Sequence, residues 1–222
     1  MIQQDHVNPT SVESSALRRF EKSMAIDYEK WHDGIGYDVE ALKEATPTER
    51  DSIEIILINR KPRDWRDIEA LAELNTPRSK AAIIEAMADS ETEVQMAILA
   101  YAPELIPKKV RIASIVRSLR TAGLFNGLSQ TLDLVAEFHP PEVKAELFRG
   151  LLEREGEVAV NFAISLLTIY GKPADPFDKK LRPFLLSFNT DNASEREASF
   201  RELCRMIGVD AEEYLRPKIK RA

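Results

Sequence analysis

The sequence predicts an all-α protein, a short and irregular α-solenoid built from antiparallel helical hairpins stacked on one another. Three observations predict it. Helix-start signals recur along the chain, with Ser, Thr or Asp ahead of proline and glutamate. Between them, apolar residues fall at helical rather than alternating spacing. And the stretch PRSKAAIIEAMADSETEV, residues 77–94, is echoed 64 residues later by PEVKAELFRGLLEREGEV, residues 141–158, with six identities in 18 aligned positions.

Helix signals dominate from about residue 14. Thr46-Pro47-Thr48-Glu49 places a capping threonine, a proline at the first helical position and a glutamate at the third. Ile53, Ile56 and Leu57 follow at helical spacing, up to a stop at Asn59–Pro62. The run IEIILI is β-branched, but its cap and length favour helix. Asp64 caps DWRDIEALAEL, with Ile68, Leu71, Ala72 and Leu74 as one stripe. Thr76-Pro77 opens the next helix, with Ile83, Ile84 and Met87 apolar. Ser90 and Glu93 read as a capping box ahead of Val94, Ala97, Ile98 and Tyr101, and Pro103 and Pro107 end that helix.

Residues 108–122 alternate Lys and Arg with Val110, Ile112, Ile115, Val116 and Leu119, an amphipathic helix with a basic outer face. Gly123 breaks it, and LFNGLSQTLDLVAEF runs to His139-Pro140. Pro141 starts the echo helix, and Glu157–Tyr170 completes its pair before Gly171. The loop KPADP leads into KKLRPFLLSF, which carries no clear assignment. Ser194 to Glu197 reads as a capping box, opening a helix with Phe200, Leu203, Cys204 and Ile207 on one face, closed by Gly208. The 64-residue offset equals two hairpins of about 32 residues, slightly under the usual tetratricopeptide or HEAT lengths. A lone hairpin cannot bury its apolar face, so hairpins stack on copies of themselves. The expected organisation is a flexible tail over residues 1–14, one helical domain over 15–215 and a basic tail over 216–222.

With 222 residues, 44% of them hydrophobic, the chain can bury a substantial core. No apolar run approaches the roughly 18 residues of a membrane span, and from the N-terminal residues no export signal is expected. Cys204 is the only cysteine, which excludes an internal disulfide and points to a reducing cytoplasm; it reads as a small buried hydrophobe. Residues 1–107 hold 21 Asp and Glu against 12 Lys and Arg, whereas residues 108–222 hold 16 against 19. Such a chain is poorly suited to gripping phosphate backbones and well suited to attracting a basic partner.

Signals for chemistry are weak. His6, His32 and His139 fall in no ligand spacing, so no metal is expected. Gly34 and Gly36 follow no strand and lack the full dinucleotide fingerprint, and neither GxSxG nor HExxH occurs. No enzyme activity, cofactor or small-molecule substrate is expected. Trp31 and Trp65 sit in acidic surroundings, EKWHD and RDWRD. Each either packs between helices or anchors an interface. In the second case Tyr28, Trp31, Asp33, Tyr37 and Asp38, with Asp64, Trp65 and Asp67, make an aromatic and acidic patch for a Lys- or Arg-rich partner.

Three stretches, Phe20–Leu42, Glu49–Leu71 and Arg182–Asp210, resemble small HEAT-like bacterial proteins encoded beside secreted polymorphic toxins, including type VI secretion effectors. The resemblance implies an immunity protein: a cytoplasmic inhibitor that binds one cognate toxin 1:1 through its acidic N-terminal half and helix-lined concave face, with no nucleic-acid or membrane partner. It carries over no functional residues. Two other readings stand beside it. One is a HEAT-type scaffold for an endogenous partner; the other is a HEAT-like alkylpurine DNA glycosylase, which needs a basic groove that the acidic half does not offer.

Overall fold

In the computed structural model the described residues are 15–62, 64–124, 127–172, 175 and 178–215. The expected tails at 1–14 and 216–222 lie outside them, as does part of the loop expected at 172–176. The chain divides into two compact units, residues 1–90 and 91–222. Among the described residues there is no strand, only an isolated bridge between Gly123 and Gly127.

The first unit contains α1 (Ala16–Ser23), α2 (Tyr28–His32), α3 (Val39–Glu44), α4 (Pro47–Arg60), α5 (Trp65–Leu74) and α6 (Pro77–Asp89). Its caps follow the sequence closely. Thr46 accepts from the Glu49 amide while Glu49 reaches back to the Thr46 amide, the reciprocal box expected there. Asp64 accepts from the Arg66 amide at 2.8 Å, and Thr76 caps α6. Neighbours pack in two rows, α3 on α5 and α4 on α6, with α4 against α5 and α5 against α6 joining them. Ile53, Leu57, Ile68, Leu71 and Ile83 fill the space between. Ile84 is exposed, because it lies one position round the helix from Ile83.

The second unit contains α7 (Thr92–Tyr101), a 3₁₀ turn (Pro103–Leu105), α8 (Lys108–Thr121), α9 (Leu128–Glu137), α10 (Pro141–Glu153), α11 (Gly156–Ile169), α12 (Arg182–Leu186), α13 (Ala193–Ile207) and α14 (Glu212–Leu215). One row runs α7, α9, α11 and the other α8, α10, α13, each helix packed on the next. Pairing of α8 with α9 and of α10 with α11 connects the rows. This is the stacked-hairpin arrangement of an α-solenoid. The echo is exact in register: α6 and α10 each span 13 residues, and α7 and α11 start 64 residues apart. The first copy straddles the boundary between the units, α6 closing one and α7 opening the other.

Two expected capping boxes sit elsewhere. The chain is extended through both Ser90 and Glu91, so α7 starts one residue late and Glu91 takes the N-cap position with no side-chain bond. At α13 the cap is Asn192, not Ser194. Its side chain accepts from both the Ser194 and Glu195 amides and donates to Glu195. An Asn that satisfies two orphan amides displaces a serine that would satisfy one.

The buried face of α8 includes Ser114 and Ser118. Ser118 bonds Thr131 of α9 at 2.6 Å, and Thr131 donates on to the Gly127 carbonyl at 2.7 Å. Phe148 centres the aromatic core of this unit, stacked on Tyr214 at 4.3 Å and edge-on to Phe200 at 6.2 Å.

Helix ends are joined by arginines. Arg50 donates to the Leu42 and Leu74 carbonyls, Arg66 to Ile35 and Lys30, Arg154 to Leu119, Arg120 and Ala122, and Arg196 to Leu152 and Thr190. Except for Thr190, which lies in the loop just before α13, these carbonyls belong to residues in or just after the last turn of another helix. Those carbonyls lack partners within their own helix and lie at its negative end.

Candidate partner-binding surface

Helix α2 is one short turn set by Asp27, whose carboxylate accepts from the Lys30 amide at 2.9 Å. None of its five residues is buried. Tyr28 and Trp31, three apart, share a face, their ring centroids 6.1 Å apart, and they are 73% and 65% exposed. Tyr28 also lies 5.8 Å from the His32 ring, and His32 pairs with Asp33 at 2.9 Å. Ile35 extends the apolar surface, 47% exposed. Asp27, Glu29 and Asp33 stand exposed around it. Exposed large apolar side chains that sit together with carboxylates at their rim are the composition of an interface rather than of ordinary surface.

What holds this turn in place is buried. Arg66, 3% exposed, donates through Nε to the Ile35 carbonyl at 2.7 Å and through Nη2 to Lys30, with Asp64 3.5 Å from its Nη1. Its guanidinium also lies over the Trp65 ring, 4.6 Å from the centroid. The Trp65 ring and Glu69 in turn lie against Gly36, where a Cβ would meet them at 3.4 and 3.0 Å.

The structure therefore divides the eight residues singled out in the sequence. Tyr28, Trp31 and Asp33 lie together at the surface. Asp38 and Asp64 are half-buried caps of α3 and α5. Trp65 is half-buried against Gly36 and Arg66. Tyr37 and Asp67 are buried, the phenol donating to the carboxylate at 3.1 Å, so they form the floor beneath the turn and not its surface. Burial, together with the Asp67 and Asp64 charges, pushes the Tyr37 phenol well above its ordinary range. Ile35 and Arg66 were missed by the sequence reading. An apolar residue between two glycines and an arginine beside a tryptophan carry no motif.

The surroundings are not uniformly acidic. Arg18, Lys22 and Lys30 line a notch of about 430 Å³ beside α1, with Arg19 paired to Asp38 and Glu44. Still, residues 1–90 hold 18 Asp and Glu against 12 Lys and Arg, while residues 91–222 hold 19 of each. The first unit thus carries the whole net charge of −6. Among the described residues, no group of three or more His, Cys, Asp or Glu is placed to hold a metal, and no helix is long and apolar enough to cross a membrane.

Compared with family models, with curated proteins and with solved structures, the chain matches none.

Proposed function

We propose that this protein is a cytoplasmic immunity protein, neutralising a secreted bacterial toxin by direct 1:1 contact, and that the face of α2 is where the toxin docks. The observation that carries the reading is the pair Tyr28 and Trp31, exposed side by side on a turn whose Lys30 and Ile35 carbonyls are bonded by a buried arginine. A pre-positioned aromatic pair loses little conformational freedom on binding, and tryptophan and tyrosine dominate interface hot spots. The negative charge of the first unit supports a basic partner, whose encounter it would accelerate and whose Lys or Arg side chains could lie over the rings. A nuclease is one such partner, since it too must be basic to hold phosphate.

The test is to mix the purified protein with the product of the adjacent reading frame. A stable 1:1 complex is expected, its association rate falling with added salt and its affinity falling when Trp31 is replaced by alanine. No complex would overturn the reading. A tight complex indifferent to Trp31 and Tyr28 would overturn the docking surface while leaving the inhibitor role standing.

A further inference from the structure

Helices α9 and α11 enclose a cleft of about 340 Å³ in the second unit, well away in sequence from α2. Its walls are apolar where Leu132 and Ile164 face it, and its polar lining is one-sided. The His139 Nδ1 lies 3.0 Å from the Val135 carbonyl. A carbonyl can only accept, so Nδ1 donates in that bond and is committed to it. Ser165 spends its hydroxyl hydrogen on the Asn161 carbonyl and Thr168 on the Ile164 carbonyl, each at 3.0 Å. Asn161 gives one amide hydrogen to the Glu157 carbonyl at 2.8 Å. Asp133 adds a carboxylate engaged in no ion pair among the described residues.

What remains for a visitor is a set of acceptors: two carboxylate oxygens, an amide oxygen and two hydroxyl oxygens. Against these stands a single uncommitted amide hydrogen on Asn161. A carboxylate or phosphate placed there would find almost nothing to donate to it and a like charge opposite. A donor-rich cation with an apolar stem would satisfy the polar lining and cover the aliphatic walls together. The volume falls in the usual range for small-ligand clefts, about 300–1,000 Å³.

We propose that the α9–α11 cleft binds an alkylguanidinium or alkylammonium group, its head against Asp133 and its stem along Leu132 and Ile164. Such a group occurs on free amines and on the Arg and Lys side chains of other proteins. This inference does not rest on the immunity reading, which concerns the first unit.

The test is a ¹H–¹⁵N NMR titration of the full-length protein with agmatine, with a capped Gly-Arg-Gly peptide, and with butyrate as an anionic control of similar stem. Saturable shifts confined to α9, α11 and the His139 ring are expected with a cation and not with butyrate. Asp133→Asn, an exposed substitution that leaves the fold intact, should weaken the cation at least tenfold. Binding of agmatine but not peptide assigns a free amine; binding of the peptide assigns a side chain. Either supports the proposal. No localised shifts with either cation, equal shifts with butyrate, or an affinity unchanged by Asp133→Asn would overturn it.

Discussion

Arg66 Nε lies 2.7 Å from the carbonyl oxygen of Ile35, a bond that spans 31 residues and fastens the segment just after the exposed turn α2 to α5. Its removal would leave the Ile35 and Lys30 carbonyls without their cationic donor. Arg66→Ala should destabilise the first unit by about 2–3 kcal/mol, the range for losing hydrogen bonds to a charged group. Arg66→Lys should recover only part, since one ammonium cannot span both carbonyls as the planar fork does. Urea denaturation reads the midpoint, and hydrogen exchange at the Ile35 amide reads the turn itself. An unshifted midpoint with unchanged exchange would remove Arg66 as the clamp.

Tyr37→Phe tests the floor beneath that turn. Loss of the 3.1 Å bond to Asp67 should cost about 1–2 kcal/mol at neutral pH. The phenol also carries a pH signature, because burial raises its folded pKa above the unfolded value of about 10. A raised pKa contributes stability that is complete below about pH 10 and is lost as pH climbs from there toward the folded value. Native protein should therefore lose stability more steeply than the Phe variant above pH 10, as thermal melts across that range would register. Parallel curves would argue against the buried phenol.

Gly150 of α10 lies so close to α11 that a Cβ there would run into the Phe162 ring. Phe162 is fully buried and cannot step aside. Gly150→Ala should destabilise by about 1–3 kcal/mol through overpacking, despite the helix-propensity gain of about 1 kcal/mol. The echo position carries Ala86, so Ala86→Gly, which introduces no clash, should cost about 1 kcal/mol. Denaturation curves that showed Gly150→Ala stabilised would mean the two helices can separate at little cost.

Trp31→Ala should move the melting midpoint hardly at all, by the equivalent of about 0.5 kcal/mol or less, since its ring is mostly in water. Its effect on complex formation should be much larger, about 2 kcal/mol or more, as for an interface anchor. Calorimetry of folding and of binding separates the two. A large loss of stability would mean that the ring packs within its own unit.

Cys204 is 1% exposed, and burial, with the nearby Asp210 charge, pushes its thiol up to about 11. The thiolate is the reactive form, so native protein at pH 8 should resist alkylation at least about a hundredfold more than urea-unfolded protein. Equal rates would show that α13 opens readily.

Much of this fold was legible because helix signals are local. Thr46, Asp64 and Thr76 each cap the helix expected of them, and Phe200, Leu203, Cys204 and Ile207 are all buried as their spacing implies. The caps at Ser90 and Ser194 were misplaced by one and two residues, since a serine three before a glutamate states compatibility with a start and not the start itself. The candidate surface was half legible. Tyr28 and Tyr37 occupy similar acidic, aromatic surroundings in sequence, yet one is exposed and the other buried. The difference is made by Gly36, whose bare backbone admits the Trp65 ring, and by Arg66 reaching back to Ile35. Contacts across about 30 residues leave no periodicity to read.

The arginines that reach from one helix to the tail of another have a bearing on how the chain may be cut. Where side chains do the joining, a connecting loop adds tethering but few contacts of its own. The second unit should accordingly survive a nick in a connector, with both pieces remaining seated and recombining from separate solutions. A gene split in two would then still yield the same stack.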